Sequence, residues 1–154
     1  MASIFDVAAY ILAKWGTMPI GKLQKLCYYA QAWSLVWDNQ PLFDEDFEAW
    51  GNGPMCVSLN EAIGTTYNAS PNVSPKQLKL GHADVFDPTQ KETIDAVLDF
   101  YGDRGLPWLC QLAHLEDPWK VARDGCPFGE PCHNVISKEL MKRYYAALYD
   151  EDRR

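Results

Sequence analysis

The sequence has no long apolar run; none approaches the roughly 20 residues needed to cross a bilayer. It is poor in cations, with 14 Lys and Arg against 21 Asp and Glu, a net charge of -7. Phosphate backbones are held by Lys and Arg, so this balance disfavours nucleic acid as the main ligand. The N-terminus, MASIFDVAAYILAKWG, lacks a basic leader and carries Asp6, which argues against a signal peptide and for a cytoplasmic protein. No G-x-S-x-G, H-E-x-x-H, G-x-x-x-x-G-K-[ST] or G-x-G-x-x-G occurs. There is no internal repeat and no low-complexity linker.

Histidine is scarce at three residues, and the five cysteines form no tight pairs. Structural zinc asks for spacings such as C-x2-C and H-x3-H. Cys126, Cys132 and His133 instead read C-x5-C-H, so the expectation is a Pro- and Gly-rich loop with two ordinary thiols and no metal; zinc on these three with His114 as a fourth ligand is the lesser alternative. Cys27, Cys56 and Cys110 lie among apolar residues and read as buried, reduced thiols. No residue pattern calls for a cofactor.

What is present is apolar and aromatic: 47% hydrophobic residues, with six Trp and eight Tyr in 154 residues. That suits one globular domain over 1–154, ending in a short acidic, solvated tail at 150–154. Residues 4–15 place Ile4, Val7, Ala8, Ile11, Leu12 and Trp15 on one helical face, and Gly16 ends the run. A helix over 18–38 follows, with Leu23, Leu26, Cys27, Ala30, Trp33 and Trp37 on one stripe. No charge occurs from Leu26 to Trp37, so neighbours must surround this helix.

Phe47–Trp50 suits a short strand or a helical turn. The WGNGP stretch after Glu48 reads as a corner: Trp50 packs on the central helix, Gly53 permits a tight turn, and Pro54 opens a helix. Residues 65–87 read as a polar surface loop with a brief extended piece near 78–80. Asp87-Pro88-Thr89-Gln90 is a helix start with a capping box. Further helices open at Pro107, at Asp117-Pro118-Trp119 with Asp117 as cap, and after Ser137. The fold expected is mainly α, six or seven helices around residues 18–38, with room for one small β-hairpin.

Candidate functional groups are few. Gln24, Tyr28 and Gln31 share an amphipathic face of the central helix and form the first candidate partner surface. In HLEDPW, structure explains Asp117 as a cap and Pro118 as a helix start. His114 and Glu116 remain, either bonding locally near the cap or marking a functional surface. Cys110 and His114 share a helical face, so a small enzyme using Cys110, His114 and Glu116 is a further reading.

Taken together, KLQKLCYYAQAWSLVWDNQPLFDEDFEAWGNGP and LCQLAHLEDPW, in this order and spacing, resemble the Panacea domain, also called the SocA-like antitoxin domain. The resemblance covers roughly residues 5–148. It implies an antitoxin of a toxin–antitoxin pair from bacteria or phages, neutralising a cognate toxin by direct protein binding. The alternative it implies is an adaptor that delivers the toxin to a cytosolic ATP-dependent protease. The toxin would be encoded by the adjacent gene, and the acidity of this chain favours a basic one. The resemblance leaves Glu48, His114 and Glu116 with the Gln24 face as partner residues, and leaves room for a homo-oligomer.

Overall fold

The computed structural model describes residues 1–64 and 70–152. Part of the expected loop, at 65–69, and the last two residues of the expected tail lie outside them. Among the described residues there are seven helices and two small antiparallel strand pairs.

α1 (Ile4–Trp15) starts on a capping box between Ser3 and Asp6 and stops at Gly16, whose φ of 79° suits glycine. β1 (Met18–Pro19) comes next, then α2 (Ile20–Trp37). The helix expected over 18–38 thus starts two residues late. Pro19 is extended and offers no capping side chain. The chain caps α2 from elsewhere: Ile20 N donates to Pro71 O at 2.9 Å and Gly21 N to Ser70 Oγ at 2.9 Å. That is why β4 (Asn72–Val73) pairs with β1 and why the extended piece lies at 72–73, not at 78–80. Val73, Leu78 and Phe86 are buried, so this segment is more than a surface loop.

β2 (Glu48–Trp50) and β3 (Gly53–Met55) form a hairpin, and α3 (Val57–Ile63) begins only after Cys56. Pro54 therefore opens no helix; it sits in β3 opposite Ala49. Ala49 donates its N–H to Asn134 O at 2.9 Å and accepts from Arg123 at 2.8 Å. Both bonds leave the hairpin on its far side, so the register asks no N–H of Pro54.

α4 (Pro88–Tyr101) has the expected capping box between Asp87 and Gln90 and ends at Gly102. α5 (Leu106–Leu115) is followed by α6 (Asp117–Ala122), whose N-cap is Glu116 rather than Asp117. α7 (Lys138–Asp152) starts with Ser137 Oγ accepting from Leu140 N at 3.2 Å. It continues through residues 150–152, so this part of the acidic tail is helical, and Asp150 and Glu151 are exposed. α2 is the hub, packed by α1, α4, α5, α7 and β3, and it is buried almost throughout from Ile20 to Leu35. No helix among the described residues is long and apolar enough to cross a membrane.

Candidate functional site

Gln24, Tyr28 and Gln31 are each only 1% exposed, so they form no partner surface in this structure. Their role is internal. A glutamine amide presents a donor and an acceptor side by side, matching a peptide N–H and C=O. Gln31 accepts from Leu42 N at 2.7 Å and donates to Phe43 O at 2.8 Å. Gln24 accepts from Cys56 N and donates to Cys56 O, both at 2.9 Å, and also donates to Asn60 Oδ1 at 2.7 Å. Each pins one crossing segment to α2 and satisfies backbone groups that would otherwise be buried without partners.

Tyr28 belongs to a second buried cluster, shared by α2, α7 and the α5–α6 corner. Tyr29 donates to Glu116 Oε1 at 2.7 Å, and the Tyr145 hydroxyl lies 2.8 Å from the same oxygen and 3.1 Å from the Tyr28 hydroxyl. Glu116 is 4% exposed. Burial lifts its pKa from 4.5 to about 7, against the pull of the two tyrosine hydrogen bonds. Tyr29 stacks on Tyr101 at 4.2 Å, and Trp33 Nε1 donates to the Tyr101 hydroxyl at 3.0 Å.

The HLEDPW corner brackets the hairpin. His114 Nε2 lies 2.9 Å from Gly51 O; a carbonyl only accepts, so Nε2 carries the hydrogen. The His114 ring stacks on Trp119 at 4.4 Å, and Trp119 Nε1 donates to Trp50 O at 2.8 Å. Burial holds the His114 pKa down, with the Lys25 and Arg123 charges adding to the effect. Glu48 accepts from Trp50 Nε1 at 2.9 Å and meets His133 Nδ1 at 3.0 Å. The Trp50 ring meets His133 edge-on, and it is β3 of the hairpin that packs on α2. Of the motif residues, Leu23, Trp33, Trp50, Gly53, Pro54, Pro118 and Trp119 are all buried. Gly53 explains the second glycine of WGNGP. Its φ is 118°, and a Cβ there would stand 2.8 Å from Lys25 Cε.

Cys126 and Cys132 are joined in a disulfide, not two separate thiols. The loop they close is clamped from inside by Arg123, which donates to Pro127 O at 2.6 Å and Glu130 O at 2.8 Å. Among the described residues no group of His, Cys, Asp and Glu is placed to hold a metal ion. Cys27 and Cys56 are buried free thiols, whereas Cys110 is only half-buried.

Two concave regions flank α5. One, of about 350 Å³, is an aromatic cleft bounded by Trp33, Trp37, Phe100, Trp108 and Tyr149, with Glu116 in its lining. Trp37 and Trp108 are exposed and Phe100 is 58% exposed. The other, of about 280 Å³, holds Lys25 and Cys110. Cys110 and Glu116 thus line different cavities, and His114 is spent on the hairpin. The aromatic cleft escapes sequence reading because its residues come from four helices, and of its bounding rings only Trp33 and Trp37 share a stripe.

Comparison with curated proteins and with solved structures returns no match. A family model described as antitoxin SocA-like, Panacea domain, matches residues 23–120. The matched stretch runs from α2 into α6 and contains the glutamine pins, the hairpin, the HLEDPW corner and most of the aromatic cleft. This chain belongs to the SocA-like, Panacea domain family of antitoxins.

Proposed function

We propose that this protein neutralises a protein toxin by binding it directly, through the aromatic cleft between α2, α4, α5 and α7. The observation that carries this reading is the exposure of Trp37, Phe100 and Trp108 around one cleft in a domain whose other large rings are mostly buried. Hot spots at protein interfaces are enriched in Trp, Tyr and Arg, and soluble monomers rarely expose large contiguous apolar patches. Arg104 lies over the Trp108 ring at 4.6 Å and adds a charged rim. The family supports a toxin as the occupant. The net charge of -7 supports a basic one, with association that slows as salt is added.

The test is neutralisation by a Trp37→Ala, Phe100→Ala double variant, coexpressed with the toxin encoded beside this gene. Trp37 stacks on Trp33 at 5.0 Å and Phe100 meets Tyr101 at 4.7 Å, so the variant should melt below the parent, and binding is compared at a temperature where both are folded. Binding should weaken by about 30-fold or more for each lost anchor, the worth of about 2 kcal/mol. A folded variant that still neutralises fully would remove the cleft from the mechanism. Immunoblots of the toxin separate the two family routes. Rescue at constant toxin level is sequestration; rescue with toxin loss is delivery to a protease.

A further inference from the structure

We propose that the pocket on the Lys25 side of α5 binds a small organic monoanion, a carboxylate on an apolar body, with the Lys25 ammonium as its counter-ion. The inference is independent of toxin binding through the aromatic cleft, which lies on the other flank of α5.

Lys25 sits on the hub helix and is 3% exposed. Among the described residues its Nζ has no hydrogen-bond or ion-pair partner, although nearly every other buried polar side chain on α2 is satisfied. Burying an ammonium without a partner costs several kcal/mol, and burial here pushes the Lys25 pKa down. Yet the hairpin is shaped to admit this side chain, since a Cβ at Gly53 would collide with its stem. Lys25 lines a pocket of about 280 Å³, so an occupant can enter the space beside it.

The lining selects the occupant. Among the described residues no carboxylate lines the pocket. Asn52 brings an amide, Ser70 a hydroxyl, and Asn60 an amide whose N–H, among the described residues, meets the Met55 sulfur at 3.8 Å. Every one of these can donate to an anion. The titratable groups facing Lys25 are the Cys110 thiol and the His114 imidazole. Among the described residues no arginine and no second lysine lines the space, so one cation is available there and a phosphate dianion would keep an unpaired charge. The rest of the wall, with Ile20 and Leu106, is apolar and suits a hydrocarbon or aromatic body.

Benzoate is the probe, and benzamide, its neutral isostere, the control. Each is titrated into the full chain by calorimetry and by ligand-observed NMR. Benzoate should bind saturably and benzamide should not. Lys25→Met keeps the stem and removes the charge. It should fold at least as stably as the parent and weaken benzoate by about tenfold to a hundredfold, the worth of one charge-assisted hydrogen bond. Cys110→Phe fills the pocket from α5 with Lys25 left in place, and should abolish binding; this variant decides the matter if Lys25→Met does not fold. No saturable benzoate binding to the parent, equal binding of benzamide, or unchanged binding in a folded variant would each overturn the assignment.

Discussion

Replacing Glu116 by Gln should leave its two tyrosine hydrogen bonds in place and remove one titration. Both bonds converge on a single oxygen, Oε1, which an amide oxygen can replace. In the folded protein Glu116 titrates near 7, against 4.5 for the free side chain, because burial penalises its charge. The direction follows from linkage. Below about pH 4.5 folded and unfolded chains both hold the proton. From there to about pH 7 the unfolded chain ionises first, so stability falls as pH rises. Above 7 the loss is complete. A rise from 4.5 to about 7, at about 1.4 kcal/mol per pH unit, corresponds to about 3 kcal/mol. The residue is 4% exposed, so solvent screening takes little from that figure. Urea denaturation of the parent and of Glu116→Gln, at steps from pH 4.5 to 8, measures it. The stability difference between the two should widen by about 3 kcal/mol in favour of the variant. His114, with its pKa held down, destabilises both proteins alike as pH falls, and so cancels in the difference. Parallel curves would refute the claim that Glu116 is buried as a proton-holding acid.

Gln31→Ala should destabilise the domain by about 2–5 kcal/mol, because it orphans the buried Leu42 N–H and Phe43 C=O together. Chemical denaturation reads the loss, and toxin affinity per folded molecule should stay unchanged, which a partner-surface role for Gln31 would not allow. Reducing the Cys126–Cys132 disulfide, or replacing both cysteines by Ser, should lower stability by about 2 kcal/mol, the chain-entropy value for so short a loop. Guanidinium midpoints with and without reductant check it, and no change would mean that Arg123 alone holds the loop.

The elements that sequence reading places correctly are those with local causes. α1 and α4 carry their own capping boxes and stops, and the uncharged stretch of α2 marks the hub. The errors come where partners are distant along the chain. On a helical wheel Gln24 and Gln31 look like a wetted face, because the backbone groups they bind lie 32 and 11–12 residues away. Pro54 carries a helix-starting signal, and only the bonds from Ala49 to residues 123 and 134 show why a strand tolerates it there. Glu116 and His114 are singled out by having no local explanation, and both hold non-local bonds. Lys25 gives no signal, since a lysine at the edge of an apolar stripe ordinarily reaches water.

The bond between the Tyr145 and Tyr28 hydroxyls joins residues 117 positions apart. At about 5–20 residues per second, a ribosome that has made the hub helix needs about 6–23 s more to make the helix that closes over it. During that interval Tyr28, Tyr29 and Trp33 have no C-terminal cover, and Glu116 lacks one of its two hydroxyl partners even once it has been made. A nascent chain in this state is half a core, open to proteases and to other unfinished chains. The supply of working protein is therefore set by how well this interval is survived as well as by how often the message is read.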